Sequence, residues 1–186
     1  MTNKHIMIDI ETMSRANNAA VISIGACTFD SNGIHDTFKV NIKPESAKAF
    51  GMRIDKDTID WWMKQSVEVR NASLTRNVMA DFGLKQFADW VKSHKPSKVW
   101  AQGVTFDMVI LENAFISVKV DQPWKFYDVC DSRTLLEMFG IRTTDLHAKA
   151  GSNHHDALDD AKIQAQAVVT VLNALGWSEV DGPIKF

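Results

Sequence analysis

Apolar and polar positions alternate first with the period of strands and later with the period of helices. Residues 5–10 (HIMIDI) are an apolar run interrupted by one Asp, which predicts a buried strand. Residues 20–30 (AVISIGACTFD) are β-branched and aromatic with period-2 character, Ser31-Asn32-Gly33 is a turn signal, and residues 35–42 alternate again. This predicts a hairpin laid beside the first strand. Residues 55–65 predict a helix with Asp57 at its N-cap. In residues 81–94, Phe82, Leu84, Phe87, Trp90 and Val91 make one apolar helix face. Residues 98–103 read as a strand ended by Gly103, 106–118 as a helix, 125–130 as a strand, and 131–140 as a short helix stopped by Gly140. The last helix is expected from near Asp156 to Leu175, with Gly176 as its stop and Leu158, Ala161, Ala165, Val168, Leu172 and Leu175 on its core face. Strands come first, two of them a hairpin, and then strands alternate with helices. The order predicts an α/β mixed sheet covered by helices.

A chain of 186 residues suits one domain, 1–186, without repeats, low-complexity tracts or linkers. Its 45% hydrophobic and 24% charged content are ordinary for a globular protein with a full core and do not indicate disorder. With a net charge of −2, a nucleic-acid footprint has to be a local basic patch or a metal site. Cys27 and Cys130 lie far apart in apolar segments without metal-ligand spacing, and are read as buried thiols in a reducing cytosol. The start carries no long apolar run with a cleavage site, and no stretch of about 18 apolar residues occurs. A cytoplasmic protein with no membrane partner is expected.

The chemistry gathers at a few acids. Asp9 and Glu11, two apart on a strand, project to the same face. Two acids at the end of an apolar strand are costly unless a cation offsets their desolvation, and Mg²⁺ prefers oxygen ligands. Alone, a D-x-E pair is common, and for the pair by itself Asp9 at an edge with Glu11 in a solvated loop is the better reading. In HHDALDDA, His155 and Asp160 are five apart, so within one helix they would differ by about 140° and share no face. If Asp156 is the N-cap with Asp159 at N3, a capping-box-like pairing, His155 lies outside the helix and can meet the site that Asp160 faces. His154, Asp156 and Asp159 read as caps and favourable first-turn charges. Asp107 follows a strand and a Gly at the opening of a helix, where a site at the strand's C-terminal edge would lie; by itself it reads as a helix-start acid. It is the combination that points to phosphodiester chemistry. Two ions about 3.5–4 Å apart clamp the attacking and leaving oxygens, and need several carboxylates and a near-neutral base such as His.

These residues resemble the DnaQ-like exonucleases of the DEDDh branch. The D-x-E motif is Asp9-Ile10-Glu11-Thr12, the second acid is Asp107, and the H-x₄-D motif is His155 and Asp160 within HDALDDA, all in order and spread over almost the whole chain. Within that superfamily, MIDIETM, TIDWWMKQS and GVTFDMVILE are most similar to the phage exonuclease A and exonuclease VIII-like subgroup and to related small bacterial exoribonucleases. The resemblance implies an RNase H-like fold, a five-stranded mixed sheet with its second strand antiparallel, flanked by helices. It implies a two-metal 3′→5′ exonuclease using two Mg²⁺ or Mn²⁺ ions per site and releasing nucleoside monophosphates. Asp9, Glu11 and Asp160 would hold one ion, Asp9 would bridge to the second, Asp107 would act directly or through water, and His155 would be the general base. Thr12 and Met13 would grip the terminal nucleotide.

Of Trp61 and Trp62, about 100° apart on a helix, one can be core while the other lines the site; Trp62 is favoured as a stacking surface for a base, burial of both in a helix–sheet contact reads at least as well, and Phe106 has the same two readings. Lys64, Arg70, Arg76 and Lys149 are candidates for guiding the strand. The expected partner is a single-stranded 3′ end; the phage-like features favour DNA, with an exoribonuclease the close runner-up, because nothing here reads the 2′ position. The oligomeric state stays open, a homodimer included. The competing readings are an inactive nucleic-acid-binding module on the same fold, against which the intact acid set argues, and a polymerase proofreading subunit.

Overall fold

The computed structural model describes residues 4–142 and 155–176. Five strands form one sheet: β1 (His5–Thr12), β2 (Val21–Asp30), β3 (Gly33–Asn41), β4 (Lys98–Ala101) and β5 (Val129–Asp131). Their order is β3-β2-β1-β4-β5, with β2 antiparallel to both neighbours and β1, β4 and β5 parallel. This is the expected five-stranded mixed sheet. Seven helices flank it among the described residues: α1 (Pro44–Ala49), α2 (Lys56–Lys64), α3 (Val67–Leu74), α4 (Ala80–His94), α5 (Asp107–Val118), α6 (Ser132–Met138) and α7 (Ala157–Ala174). None of them is long and apolar enough to cross a membrane.

The pleat of β1 divides the core. Ile6, Ile8 and Ile10 face the larger cluster, which includes Leu84, Phe87 and Val91 of α4 and Ile110, Leu111 and Phe115 of α5. Met7, with Cys27 and Phe29 of β2, faces Ala161, Ala165 and Val168 of α7. Asp9 and Glu11 have the parity of Met7, so both carboxylates leave the sheet on the α7 side. That helix is seated closely because β2 carries Gly25 opposite Asp9. A Cβ at Gly25 would come within 2.1 Å of the Ala157 carbonyl carbon. Only a residue without a side chain lets the α7 N-terminus touch the strand.

Several boundaries differ from the periodic pattern. The short helices α1 and α3 escape it because neither repeats an apolar stripe long enough to register. Residues 126–128 form a 3₁₀ turn, so the predicted strand shrinks to β5. The N-cap of α2 is Asp55, not Asp57, and its carboxylate bonds Ser14 Oγ (2.7 Å) and Arg53 Nε (2.7 Å) instead of the helix. Phe82 and Leu175 are exposed although their spacing places them beside the core faces of α4 and α7. The packing stripe is narrower than the sequence period suggests.

Candidate active site

The acids meet where β1 ends beneath the start of α7. One carboxylate oxygen each from Asp9, Glu11 and Asp160 lies within 4.8 Å of the other two, an arrangement that could hold a metal ion. Asp160 reaches the group because Asp156 caps α7, its Oδ1 accepting from Leu158 N (3.0 Å) and Asp159 N (3.4 Å). The reciprocal limb of a capping box is replaced by an ion pair between Asp159 and Lys162. Lys39 of β3 clamps the cap by an ion pair with Asp156 at 2.7 Å. His155 lies just outside the helix in a left-handed conformation, φ +72°. Its main-chain N–H donates to Asp160 Oδ2 (3.2 Å), and its Nδ1 is 4.0 Å from Glu11 Oε1. The five-residue spacing therefore works as the capping argument requires.

Asp107, the first residue of α5, stands beside this group. It is buried, and its Oδ1 accepts the Ile10 N–H at 3.3 Å, so one oxygen is already engaged. The loop that presents it bends at Gly103, φ +105°, and is latched from β5: Asp131 Oδ2 accepts from Gly103 N (3.1 Å) and Val104 N (3.0 Å).

Packing these acids together makes each anion costly. Burial, followed by the charge of Asp107, raises the Asp9 carboxyl well above its ordinary range. Burial and the charges of Asp160 and Asp107 push Glu11 up to about 8, with Lys39 opposing. Burial is also the main cause that brings Asp107 to about 7 and Asp160 to about 7. A divalent cation is the natural counter-charge for such a cluster.

Beside the acids opens a cavity of about 900 Å³ lined by Glu11, Thr12, Arg15, Trp61, Phe106 and His155, among others. Two expectations change here. Trp62 forms part of the cavity wall but is 1% exposed, and its indole N–H donates to the Thr12 carbonyl at 3.0 Å. It braces the end of β1, and the exposed indole is that of Trp61, edge-on to the His155 ring with centroids 4.8 Å apart. Met13 is buried in the core, its N–H bound to Ala20 O and its carbonyl to Asp55 N, and it lines a different hollow. Thr12 and the half-exposed Phe106 do line the cavity. The basic candidates Lys64, Arg70 and Arg76 do not; the cations that line it are Arg15, Arg53 and Lys56, none of them expected from the sequence. Lys149 lies outside the described residues, as does His154. Gly25, Lys39 and Gln164 do not stand out in the sequence, whereas Trp61 does as the other member of the Trp61–Trp62 pair. The one available signal was a Gly inside an otherwise β-branched strand.

Residues 4–172 match the family described as the 3′–5′ exoribonuclease Rv2179c-like domain. The chain is 31% identical to an exodeoxyribonuclease of Enterobacteria phage T4, over 70% of this chain and 70% of the phage protein. Among solved structures it is similar to the nuclease domain of 3′hExo, a DEDDh family member bound to rAMP, with TM-score 0.65, 14% identity and 98% of both chains covered. Exonuclease X in complex with 5′-overhanging duplex DNA gives TM-score 0.62 at 16% identity, with 94% of both covered. The zinc-bound complex of E. coli ExoI with single-stranded DNA gives 0.69 at 14% identity, covering 95% of this chain but 42% of that one. The chain therefore belongs to the Rv2179c-like 3′–5′ exoribonuclease family, and this 3′–5′ exonuclease shares its RNase H-like fold with a DEDDh nuclease.

Proposed function

We propose that the whole chain, 1–186, is one exonuclease domain that removes nucleoside 5′-monophosphates from single-stranded 3′ ends, DNA in preference to RNA, with two Mg²⁺ or Mn²⁺ ions per site. The observation that carries the reading is the convergence of Asp9, Glu11 and Asp160 within 4.8 Å beside an open cavity that also presents His155. Three hard oxygen donors of high charge fit Mg²⁺ or Mn²⁺. When bound, two such ions supply Lewis acidity to the attacking and leaving oxygens of the phosphodiester. Asp9, Glu11 and Asp160 would hold them, Asp9 shared, with Asp107 contributing directly or through water.

His155 takes the proton of the attacking water. Its side chain is 42% exposed, which leaves the ring accessible from the cavity, and Glu11 lies on its Nδ1 side. Thr12 lies next to the acids, where a terminal nucleotide would sit, and Trp61 and Phe106 offer apolar ring surface to its base. Cytoplasmic action on free nucleic-acid ends accords with this reading.

The phage relative supports DNA as the substrate. The second reading, an exoribonuclease, is favoured by the description of the matching family. The test uses 5′-labelled single-stranded DNA and RNA of matched sequence with Mg²⁺ or Mn²⁺, comparing wild type with Asp9→Ala. A ladder shrinking from the 3′ end, abolished in the variant and in EDTA, is expected, faster on DNA. Faster cleavage of RNA selects the second reading. Binding without shortening of either polymer would leave a non-catalytic module and overturn both.

A further inference from the structure

Gln164 lies on α7 one turn beyond Asp160, so its side chain returns to the same face of the helix. It is 4% exposed, and its Nε2 donates to Asp9 Oδ1 at 2.8 Å. Against an ionised Asp9, the form that binds a cation, the opposite end of the amide would set two acceptors against each other. Its Oε1 is buried and has no hydrogen-bond partner among the described residues.

A buried amide with an unmet acceptor is a poor choice for stability alone. Its neighbours Ala161, Ala165 and Val168 show that this part of α7 packs well with apolar side chains. What the amide adds is a neutral donor on one oxygen of an acid surrounded by other acids. Asp9 is thereby held in one orientation without a second positive charge competing for the site. Partners of this kind, bonded to the ligands and not to the ion, orient ligating groups and tune affinity.

We propose that Gln164 is a positioning residue for the ion site. Its N–H end fixes the Asp9 carboxylate with one oxygen engaged and the other available to a cation, and its Oε1 is the acceptor for a water that accompanies the ion. The inference rests on reading Asp9, Glu11 and Asp160 as ion ligands.

The test is Mn²⁺ binding to the full chain, followed by the paramagnetic resonance signal of the free ion, for wild type, Asp9→Ala, Gln164→Met and Gln164→Ser. Far-UV circular dichroism establishes that each variant is folded. Gln164→Ser is the second variant because it is small enough to fit if Met strains the helix, yet its hydroxyl does not reach Asp9. Affinity is expected to fall about 10–100-fold in both Gln164 variants. Nuclease turnover at saturating Mn²⁺ is expected to recover most of the wild-type kcat, so the loss appears in the half-saturating ion concentration. Affinity within twofold of wild type in a folded Gln164 variant overturns the inference while leaving the ion site intact. Failure of wild type to bind Mn²⁺, or equal binding by Asp9→Ala, overturns the reading of the acids themselves.

Discussion

Glu11 offers the sharpest test of the electrostatics of this site. Burial and the neighbouring charges of Asp160 and Asp107 hold its carboxyl at about 8 in place of the ordinary 4.5. At about 1.4 kcal/mol for each pKa unit, the folded protein therefore disfavours the Glu11 anion by about 5 kcal/mol relative to the unfolded chain. The sign follows from proton counts. Between pH 4.5 and 8 the folded state keeps a proton that the unfolded state has lost, so stability falls as pH rises through that window. Below it both states are protonated and the effect vanishes; above it the full penalty applies. Glu11→Gln removes the ionisable group while keeping its shape. In EDTA the variant should match wild type near pH 4 and be more stable by up to about 5 kcal/mol at pH 9. Saturating Mg²⁺ should reverse the order at high pH, because the wild-type carboxylates then have their counter-charge and the variant lacks a ligand. Urea unfolding at several pH values, with and without Mg²⁺, measures this directly. If the two proteins showed parallel pH–stability curves in EDTA, the acids would not be held against their own repulsion and the argument for a cation site would lose its energetic basis.

Three further outcomes follow from the packing. Gly25→Ala places a Cβ 2.1 Å from the Ala157 carbonyl carbon, which must displace the α7 N-terminus; a loss of about 1–3 kcal/mol by thermal denaturation and a collapse of nuclease activity are expected together. Trp62→Phe strips the Thr12 carbonyl of its buried donor and should cost about 1–3 kcal/mol in chemical denaturation, whereas Trp61→Ala should leave stability nearly unchanged and weaken oligonucleotide binding by about 1–3 kcal/mol, read in KM. Lys39→Met removes the ion-pair partner of the Asp156 cap and the charge that opposes the upward shift of Glu11. It should lower stability by about 1 kcal/mol, measured by chemical denaturation.

Much of the fold and the acidic set was legible because the information lay within single segments. The period of two in residues 5–12 places Asp9 and Glu11 on one face whatever the rest of the chain does, and the capped start of α7 separates His155 from Asp160 by local backbone geometry alone. Alternation and helical spacing likewise foretold the mixed sheet and the longer helices.

The tertiary structure decided what depends on distant segments meeting. Which of two adjacent tryptophans is buried depends on where the Thr12 carbonyl lies, 50 residues earlier in the chain. Gly25 matters because α7 rests on it, and Gln164 because Asp9 is opposite it across 155 positions. Met13, Phe82 and Leu175 depart from expectation for the same reason. A residue's environment is set by the element packed over it, and local periodicity describes the face a side chain occupies without naming what covers that face.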